Sequence, residues 1–564
     1  MLRLHRYPWQ LLAKADSPTD ADLSKPIQVG QGTFVEAGSQ SDFGEYADMA
    51  VQLNSGTHLL ELPGPATKGV EAEHLQLGQN RSITLAFDAN APKWISEATP
   101  ENAPNHDHAD YPGFIEALLS RAHEFEEFHT DIRNYEVAKS KVRRRYGPAL
   151  VTWPLILDKF IPFTDDDPAA RGLIVKHALH MQPFLQDIQQ GPKKVLQRIH
   201  QATRLDRVQE MDTHCLLDYA RRPGRNAPEK AGGRQRILAV QRQESHNTLE
   251  NRVVLDFCHR SLIECLRYLE LDQNKTIPDG KSVRKQAVER YKRFLMAYLA
   301  LPIWADVMRL AEPCRMPNYV LSENPMYVEI WKGYLEILQH ADLRERIWRW
   351  PRRVWADLVR ILLSRAILDV MRAWKDAEIY TLADRPVWVS KSLAQARWFR
   401  KVTFPGAWHI RQGGNAGGCL YLLDREELCD FFPSEAAIDQ FNADCYFAWV
   451  PEKSSSAIRL MPVWSLVGDM RWAALSSTHE SLSKEWIENL GRTLQGARVS
   501  NGVSISDAMV VHANWRMTQP HNLNISKAGV NISFVQIHAN GAWDDSAIES
   551  LCAPIRRFVQ CKQV

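Results

Sequence analysis

The period of the hydrophobic pattern changes twice along this chain of 564 residues, and those changes constrain its fold more than any other feature. Before about residue 96 the apolar residues alternate in short runs broken by Gly, Pro, Asn and Ser. Thr57-His58-Leu59-Leu60-Glu61-Leu62 and Ser82-Ile83-Thr84-Leu85-Ala86-Phe87 both read as strands. From Gly113 the spacing becomes helical, beginning with Phe114, Ile115, Leu118 and Leu119 and recurring to Ala373. Its clearest stretch runs from Leu249 to Leu269. There Leu249, Val253, Leu255, Cys258, Leu262, Cys265, Leu266 and Leu269 mark one apolar stripe, with Arg252, Asp256, Arg260, Glu264 and Arg267 between them. After about residue 376 short β-type runs return: Val387-Trp388-Val389, Cys419–Leu423, Cys445–Val450, Ala457–Met461, Ala508–His512 and Val530–Ile537. Helices are expected at Ser483–Gln495 and from Ser546 to about Gln560.

The expectation is a multidomain α+β protein: a small β-rich domain at 1–96, a large and mainly helical domain at 113–375, and an α/β domain at 376–564. The Pro-, Asn- and Asp-rich stretch Glu97–Pro112 reads as a linker. A composition of 45% apolar and 24% charged residues is that of a globular protein. No run approaches the roughly 18 apolar residues that span a bilayer, and Met1–Pro8 lacks the features of a signal peptide. Nine scattered cysteines without a C-x-x-C pair suggest free thiols in a reducing cytoplasm, not a disulfide frame or a zinc site.

The formal charge of +2 conceals an asymmetry: −8 over residues 1–110, +11 over 111–375 and −1 over 376–564. The basic excess is clustered. Residues 221–236, a Pro/Gly-rich segment without an apolar anchor, carry Arg221, Arg222, Arg225, Lys230, Arg234 and Arg236 against one Glu. A second cluster holds Lys281, Arg284, Lys285, Arg290, Lys292 and Arg293. A third, between Leu343 and Arg365, includes Arg349, Arg352 and Arg353 among tryptophans. Arginine forks grip phosphate oxygens and indoles stack on bases, so these residues are the candidate DNA contacts. Solvated helix faces are the competing reading.

Other constellations are weaker. His106-Asp107-His108 with Asp110 has metal-ligand residue types but sits in the linker. Gly413–Gly418 lacks the Lys-Ser/Thr of a P-loop and reads as a hairpin tip. Neither G-x-S-x-G nor a Walker A motif occurs, so the chain carries no sign of a nucleotide site.

The most specific string is Arg242-Gln243-Glu244-Ser245-His246-Asn247-Thr248-Leu249-Glu250-Asn251-Arg252. Asn247 or Thr248 suits an N-cap, Glu250 suits the helix dipole, and Asn251 and Arg252 stand where they can tie the first turn to a neighbour, a structural staple. An "nTxENR" string opening a long helix resembles the uncharacterised prokaryotic domain that precedes a PD-(D/E)XK nuclease in McrC-like restriction and defence proteins. The resemblance covers roughly 110–375. It implies that the C-terminal domain has a nuclease-like core, with an Asp at one strand start and acidic-x-Lys on the next strand, holding a divalent metal. Asp444 stands before the strand Cys445–Val450, but the following strand carries Leu460, Met461, Pro462 and Val463 where the acidic residue and lysine belong.

The expectation is therefore a degenerate nuclease domain without catalysis, in a cytoplasmic DNA-binding subunit of a prokaryotic restriction or antiviral defence system. A separate ATPase, helicase or other subunit would act with it, and no cofactor is needed. One alternative is an active Mg2+-dependent endonuclease using Asp444 with Glu452, Lys453 or Asp469. Another is a protein–protein scaffold that binds no nucleic acid.

Overall fold

The computed structural model describes residues 2–5, 8–9, 27–28, 33–53, 55–63, 72–77, 81–86, 118, 151–152, 173–273, 283–374, 377–383, 386–387, 407–412, 417–425, 427–428, 441–452, 457–467, 490–494, 503–514, 521–527, 529–538 and 545–560. The linker at 97–112, glycines 413–416, Lys281, Lys453, Asp469, the side chain of Arg349 and most of the helix expected at Ser483–Gln495 lie outside them. The described elements mix helix and sheet, an α+β architecture. They divide into two compact units, residues 168–340 and residues 1–167 with 341–564.

The first unit, 168–340, is built on helices. Leu173–His180, Gln182–Gln190, Leu249–Gln273, Val283–Leu299 and the start of Pro325–Arg349 enclose a core that includes Val253, Phe257, Cys258, Tyr291, Leu295 and Tyr334. The stripe read from the sequence is the buried face of Leu249–Gln273: Val253, Leu255, Cys258, Cys265 and Leu269 are inside, while Leu249 and Leu266 face solvent. From this bundle extends an antiparallel two-stranded ribbon, Val195–Arg204 paired with Arg236–Ser245 through ten matched positions. Between its strands the chain forms the helices Thr213–Arg221 and Ala227–Ala231.

In the second unit the described residues form a nine-stranded sheet. Strands Ala377–Ala383, Ala407–Gln412, Gly418–Leu423, Cys445–Pro451 and Ile458–Val467 run antiparallel in that order. Val503–Ile505 and Asp507–Asn514 then join parallel to successive stretches of Ile458–Val467, Val530–His538 runs parallel to Asp507–Asn514, and His521–Lys527 lies antiparallel at the edge. Helices Pro351–Ala373 and Asp545–Gln560 cover one face, burying Trp355, Leu358, Leu362, Ile555 and Phe558 against Phe447, Val463 and Val511. Trp9, Leu428, Leu490 and Leu494 pack on the other face against Trp464 and Phe534.

A central strand covered on both faces reads as a near-continuous apolar run, and Ile458–Val467, apolar but for Arg459 and Ser465, is buried along nearly its whole length. Pro462, which has no N–H to donate, falls where the parallel ladder is interrupted. Leu460 pairs with Ile505 and Val463 with Met509, and Met461 and Pro462 are skipped on that side. Four further strands, Leu2–His5, Phe34–Ala37, His58–Glu61 and Val51–Gln52, form a smaller sheet in this unit.

Candidate nucleic-acid interface

The segment 221–236 is more ordered than its lack of apolar residues suggests. Asp212 caps Thr213–Arg221 by accepting from Cys215 N at 3.0 Å, and Asn226 caps Ala227–Ala231 by accepting from Glu229 N at 3.0 Å. Gly224 has φ +129°, and a Cβ there would meet Glu229 Cβ at 2.8 Å, so only glycine turns the chain this tightly. Lys230 donates to Tyr219 O at 3.1 Å and lies over the Tyr219 ring, 4.7 Å from its centroid. Arg222 donates through Nε to Asp218 at 2.8 Å and through Nη1 to Arg236 O at 2.8 Å. Ala231 supplies the buried apolar anchor that the sequence does not announce.

These contacts fold the segment onto the far end of the ribbon. Arg204 and Arg236 are register partners there, and Leu205 N donates to Gln235 O at 3.0 Å. Arg204, Arg207, Arg221, Arg225, Arg234 and Arg236 are all exposed at this end. Arg204 pairs loosely with Asp206 at 3.5 Å. Arg222 and Lys230 are spent on internal contacts and act as struts. The ribbon's middle is neutralised: Arg198 and Arg242 both pair with Glu210, Arg242 at 3.2 Å. The basic surface is therefore concentrated at the tip.

The second cluster is split. Arg290 and Arg293 are exposed on Val283–Leu299, Lys285 and Lys292 are half-buried, and Arg284 is buried at 5% exposure.

Arg352 and Arg353 of the third cluster lie inside the protein at 4% and 6% exposure. Arg352 Nε donates to Glu61 Oε1 at 2.5 Å and Nη2 to Glu61 Oε2 at 3.1 Å, while Nη1 reaches both oxygens of Asp444 at 3.0 Å. Arg353 Nε donates to Glu61 Oε2 at 3.2 Å, and its guanidinium stacks over the Trp350 ring at 4.4 Å. Two arginines thus share one glutamate, and the second carboxylate is Asp444. Burial opposes the charge on Arg352, but Asp444 and Glu61 more than offset it and hold its pKa above the ordinary value. Arg352 and Arg353 therefore make no surface for phosphate.

The same cluster decides the place of Asp444. It stands at a strand start, as the sequence predicts, but its carboxylate is enclosed by Arg352 and by Ser465 N, which donates to Oδ2 at 2.7 Å. Glu452 stands at the other end of Cys445–Pro451. At about 3.3 Å per residue, eight residues of extended chain set the two Cα atoms about 26 Å apart. Glu452 is tied instead to His409 Nε2 at 2.6 Å and to Arg411 at 3.6 Å. The strand opposite Asp444 presents Leu460, Met461 and Val463, all buried. Gly418 serves packing, since a Cβ there would lie 2.4 Å from the Trp449 ring.

The string at 247–252 forms a staple. Thr248 Oγ1 accepts from Asn251 N at 3.4 Å and caps the long helix. Asn251 Nδ2 donates to Lys193 O at 2.8 Å and His246 O at 2.7 Å, and its Oδ1 accepts from Tyr327 Oη at 2.9 Å. Asn247 Oδ1 accepts from Arg252 Nε at 2.8 Å and Met308 N at 3.1 Å, and Glu250 accepts from Asn318 Nδ2 at 2.8 Å. The polar residues of the string thus bind together four segments of this unit.

Known proteins add the following. A family model described as a domain of unknown function (DUF2357) matches residues 172–334. No curated protein matches the sequence. Among solved structures, a refined half-complex from a tetradecameric assembly of Thermococcus gammatolerans McrB AAA+ hexamers with bound McrC is similar at 8% identity and a TM-score of 0.21, over 92% of this chain and 88% of that chain. No helix of the described residues is long and apolar enough to cross a membrane.

Proposed function

We propose that this chain is a non-catalytic DNA-binding subunit of a prokaryotic restriction-type defence system, and that the ribbon tip of the 168–340 unit makes its phosphate contacts. The observation that carries the reading is the set of six exposed arginines, Arg204, Arg207, Arg221, Arg225, Arg234 and Arg236, gathered on one folded platform. Arg222 and Lys230 brace the platform from beneath. A backbone that is already folded loses less chain freedom when its arginines grip phosphate.

The defence context rests on the resemblance of the 247–252 string to McrC-like proteins. Because the sequence has no Walker A motif, energy would come from a separate ATPase or helicase subunit in the same cytoplasm. The nuclease likeness of the C-terminal domain remains part of this proposal as a fold that positions a partner or further DNA. The catalytic alternative gains no support from Asp444 and Glu452, which sit at opposite ends of one strand.

The test is fluorescence anisotropy of labelled duplex and single-stranded DNA with the full chain across a salt series. Replacing Arg221, Arg225 and Arg234 with Gln should flatten the slope of log affinity against log salt by about 0.9 for each duplex phosphate that is no longer neutralised. If the unaltered protein binds neither DNA at low salt, the reading fails.

A further inference from the structure

The ribbon and the helix it carries bring together three side chains that the sequence keeps apart. His200 lies on Val195–Arg204, Asp212 is the N-cap of Thr213–Arg221, and Cys215 is in that helix's first turn. The bridge between Glu210 and Val240, the strand partner of His200, lays the segment before the helix along the ribbon. His200 Nε2 consequently lies 2.6 Å from Asp212 Oδ2. The imidazole nitrogen, the carboxylate oxygen and Cys215 Sγ are all within 4.8 Å of one another, and among the described residues no other three His, Cys, Asp or Glu side chains converge in this way.

We infer that His200, Asp212 and Cys215 form a binding site for a borderline-soft divalent ion such as zinc, which fastens the helix Thr213–Arg221 to the ribbon. The donor set decides the ion: thiolate and imidazole favour zinc or cobalt over magnesium and calcium, which take oxygen ligands. Bonds of about 2.0–2.3 Å set tetrahedral ligands about 3.3–3.8 Å apart. The 2.6 Å between His200 Nε2 and Asp212 Oδ2 has to open, and separations of up to 4.8 Å have to shorten, by about 1 Å at most to reach that range. The fourth position falls to His214, whose ring centroid is 4.9 Å from that of His200, or to water, since His200 and Asp212 keep 39% and 35% of their side-chain surface in solvent.

The two oxygens of Asp212 have separate tasks. Oδ1 caps the helix by accepting from Cys215 N, which leaves Oδ2 for the ion. Hydrogen bonds from Cys215 N and then His200 hold this carboxyl well below the usual range, so it is an anion at neutral pH. Cys215 is fully buried, and burial pushes its thiol up. Binding therefore breaks the S–H bond, forms a metal–sulfur bond and releases that proton to solvent, while the proton that His200 Nε2 donates to Asp212 passes to Nδ1 by a change of tautomer and frees Nε2 for the ion.

The experiment titrates Co2+ into the chelator-treated full chain and follows the near-ultraviolet thiolate-to-cobalt charge-transfer band. The expected result is a band that saturates at one equivalent, disappears when Zn2+ is added, and is absent from Cys215→Ala and His200→Ala. Asp212→Ser keeps a capping oxygen while removing the charge, and should weaken cobalt binding with far-ultraviolet circular dichroism unchanged. Should Cys215→Ala fail to fold, His200→Ala, on an exposed strand face, decides the matter. A wild-type protein without the band, or a band that survives both alanine variants, overturns the inference. The readout needs no nucleic acid, so it stands or falls separately from the DNA-binding reading.

Discussion

Arg352 holds both carboxylate oxygens of Asp444 at 3.0 Å, and it does so from a helix 92 residues earlier in the chain, with Glu61 closing its other side. Asp444 is thereby the keystone of a buried ion cluster and not an open metal ligand. Removing one member of a buried pair leaves the other charge uncompensated, at about 3–5 kcal/mol. Asp444→Ala should therefore lower the unfolding free energy by about that amount, measured by guanidinium denaturation. A loss below about 1 kcal/mol would show that the cluster is more hydrated than its geometry indicates.

The buried and exposed arginines should separate in a second measurement. Arg353→Gln breaks the contact to Glu61 at 3.2 Å and the stacking on Trp350, so its unfolding midpoint should fall. Its salt slope for DNA should match the unaltered protein, because a buried guanidinium releases no counterions. The same slope in Arg353→Gln as in the Arg221, Arg225 and Arg234 variant would contradict the assignment of the interface to the ribbon tip.

Asn251 is fully buried, and its amide satisfies two backbone carbonyls and the Tyr327 hydroxyl. Asn251→Asp is nearly isosteric but replaces two donors with acceptors facing Lys193 O and His246 O. Each buried group left unsatisfied costs about 1–3 kcal/mol. Tyr327→Phe leaves both carbonyl contacts in place but strips Asn251 Oδ1 and Lys193 N of the hydroxyl, whereas Asn251→Asp also buries a carboxylate against two carbonyl oxygens, so thermal unfolding should show Asn251→Asp to be the more harmful. Equal effects would mean that the hydroxyl, not the amide, carries the staple.

These residues show what the sequence could and could not disclose. Periodicity identifies Leu249–Gln273 because helix spacing and burial are local properties, and the string at its start reads correctly as a cap because N-cap chemistry spans only a few residues. Charge clusters are different. Arg221 and Arg352 look alike in sequence, yet one is exposed and the other meets a glutamate 291 residues away. No local pattern encodes that distance. The C-terminal strand Ile458–Val467 is legible as a strand without the acidic-x-Lys pair, and burial on both faces explains its composition. His200 and Cys215 are illegible for the opposite reason: metal-ligand spacing is a pattern along the chain, whereas the ribbon places a strand residue beside a helix start.

Glu336 gives the 168–340 unit an acid-sensitive contact. Burial works to raise its pKa, but hydrogen bonds from His177 at 3.0 Å and Lys176 at 2.9 Å prevail and hold it at about 2, below the ordinary 4.5. A depressed carboxylate stabilises the fold above its unfolded pKa, and the contribution is lost as pH falls from about 4.5 towards about 2. Glu336→Gln removes the titration. The difference in urea midpoint between wild type and this variant should shrink across that window, and a difference independent of pH would exclude the linkage.

His512 acts in the same direction at higher pH. It lies fully buried on Asp507–Asn514 with its ring stacked on Phe534 at a centroid distance of 5.7 Å, and burial holds its pKa at about 3, down from 6.5. The folded chain therefore keeps the ring neutral while the unfolded chain begins to protonate it near pH 6.5. Stability consequently declines as pH falls from about 6.5 towards about 3, by up to about 1.4 kcal/mol per pH unit from this group alone. His512→Leu has no proton to bind in either state. Between pH 7.5 and 4.5 the wild-type urea midpoint should drop further than that of the variant, even where the variant is less stable at neutral pH. Parallel declines in the two proteins would mean that the ring finds a protonated form inside the sheet, and that burial does not set its charge.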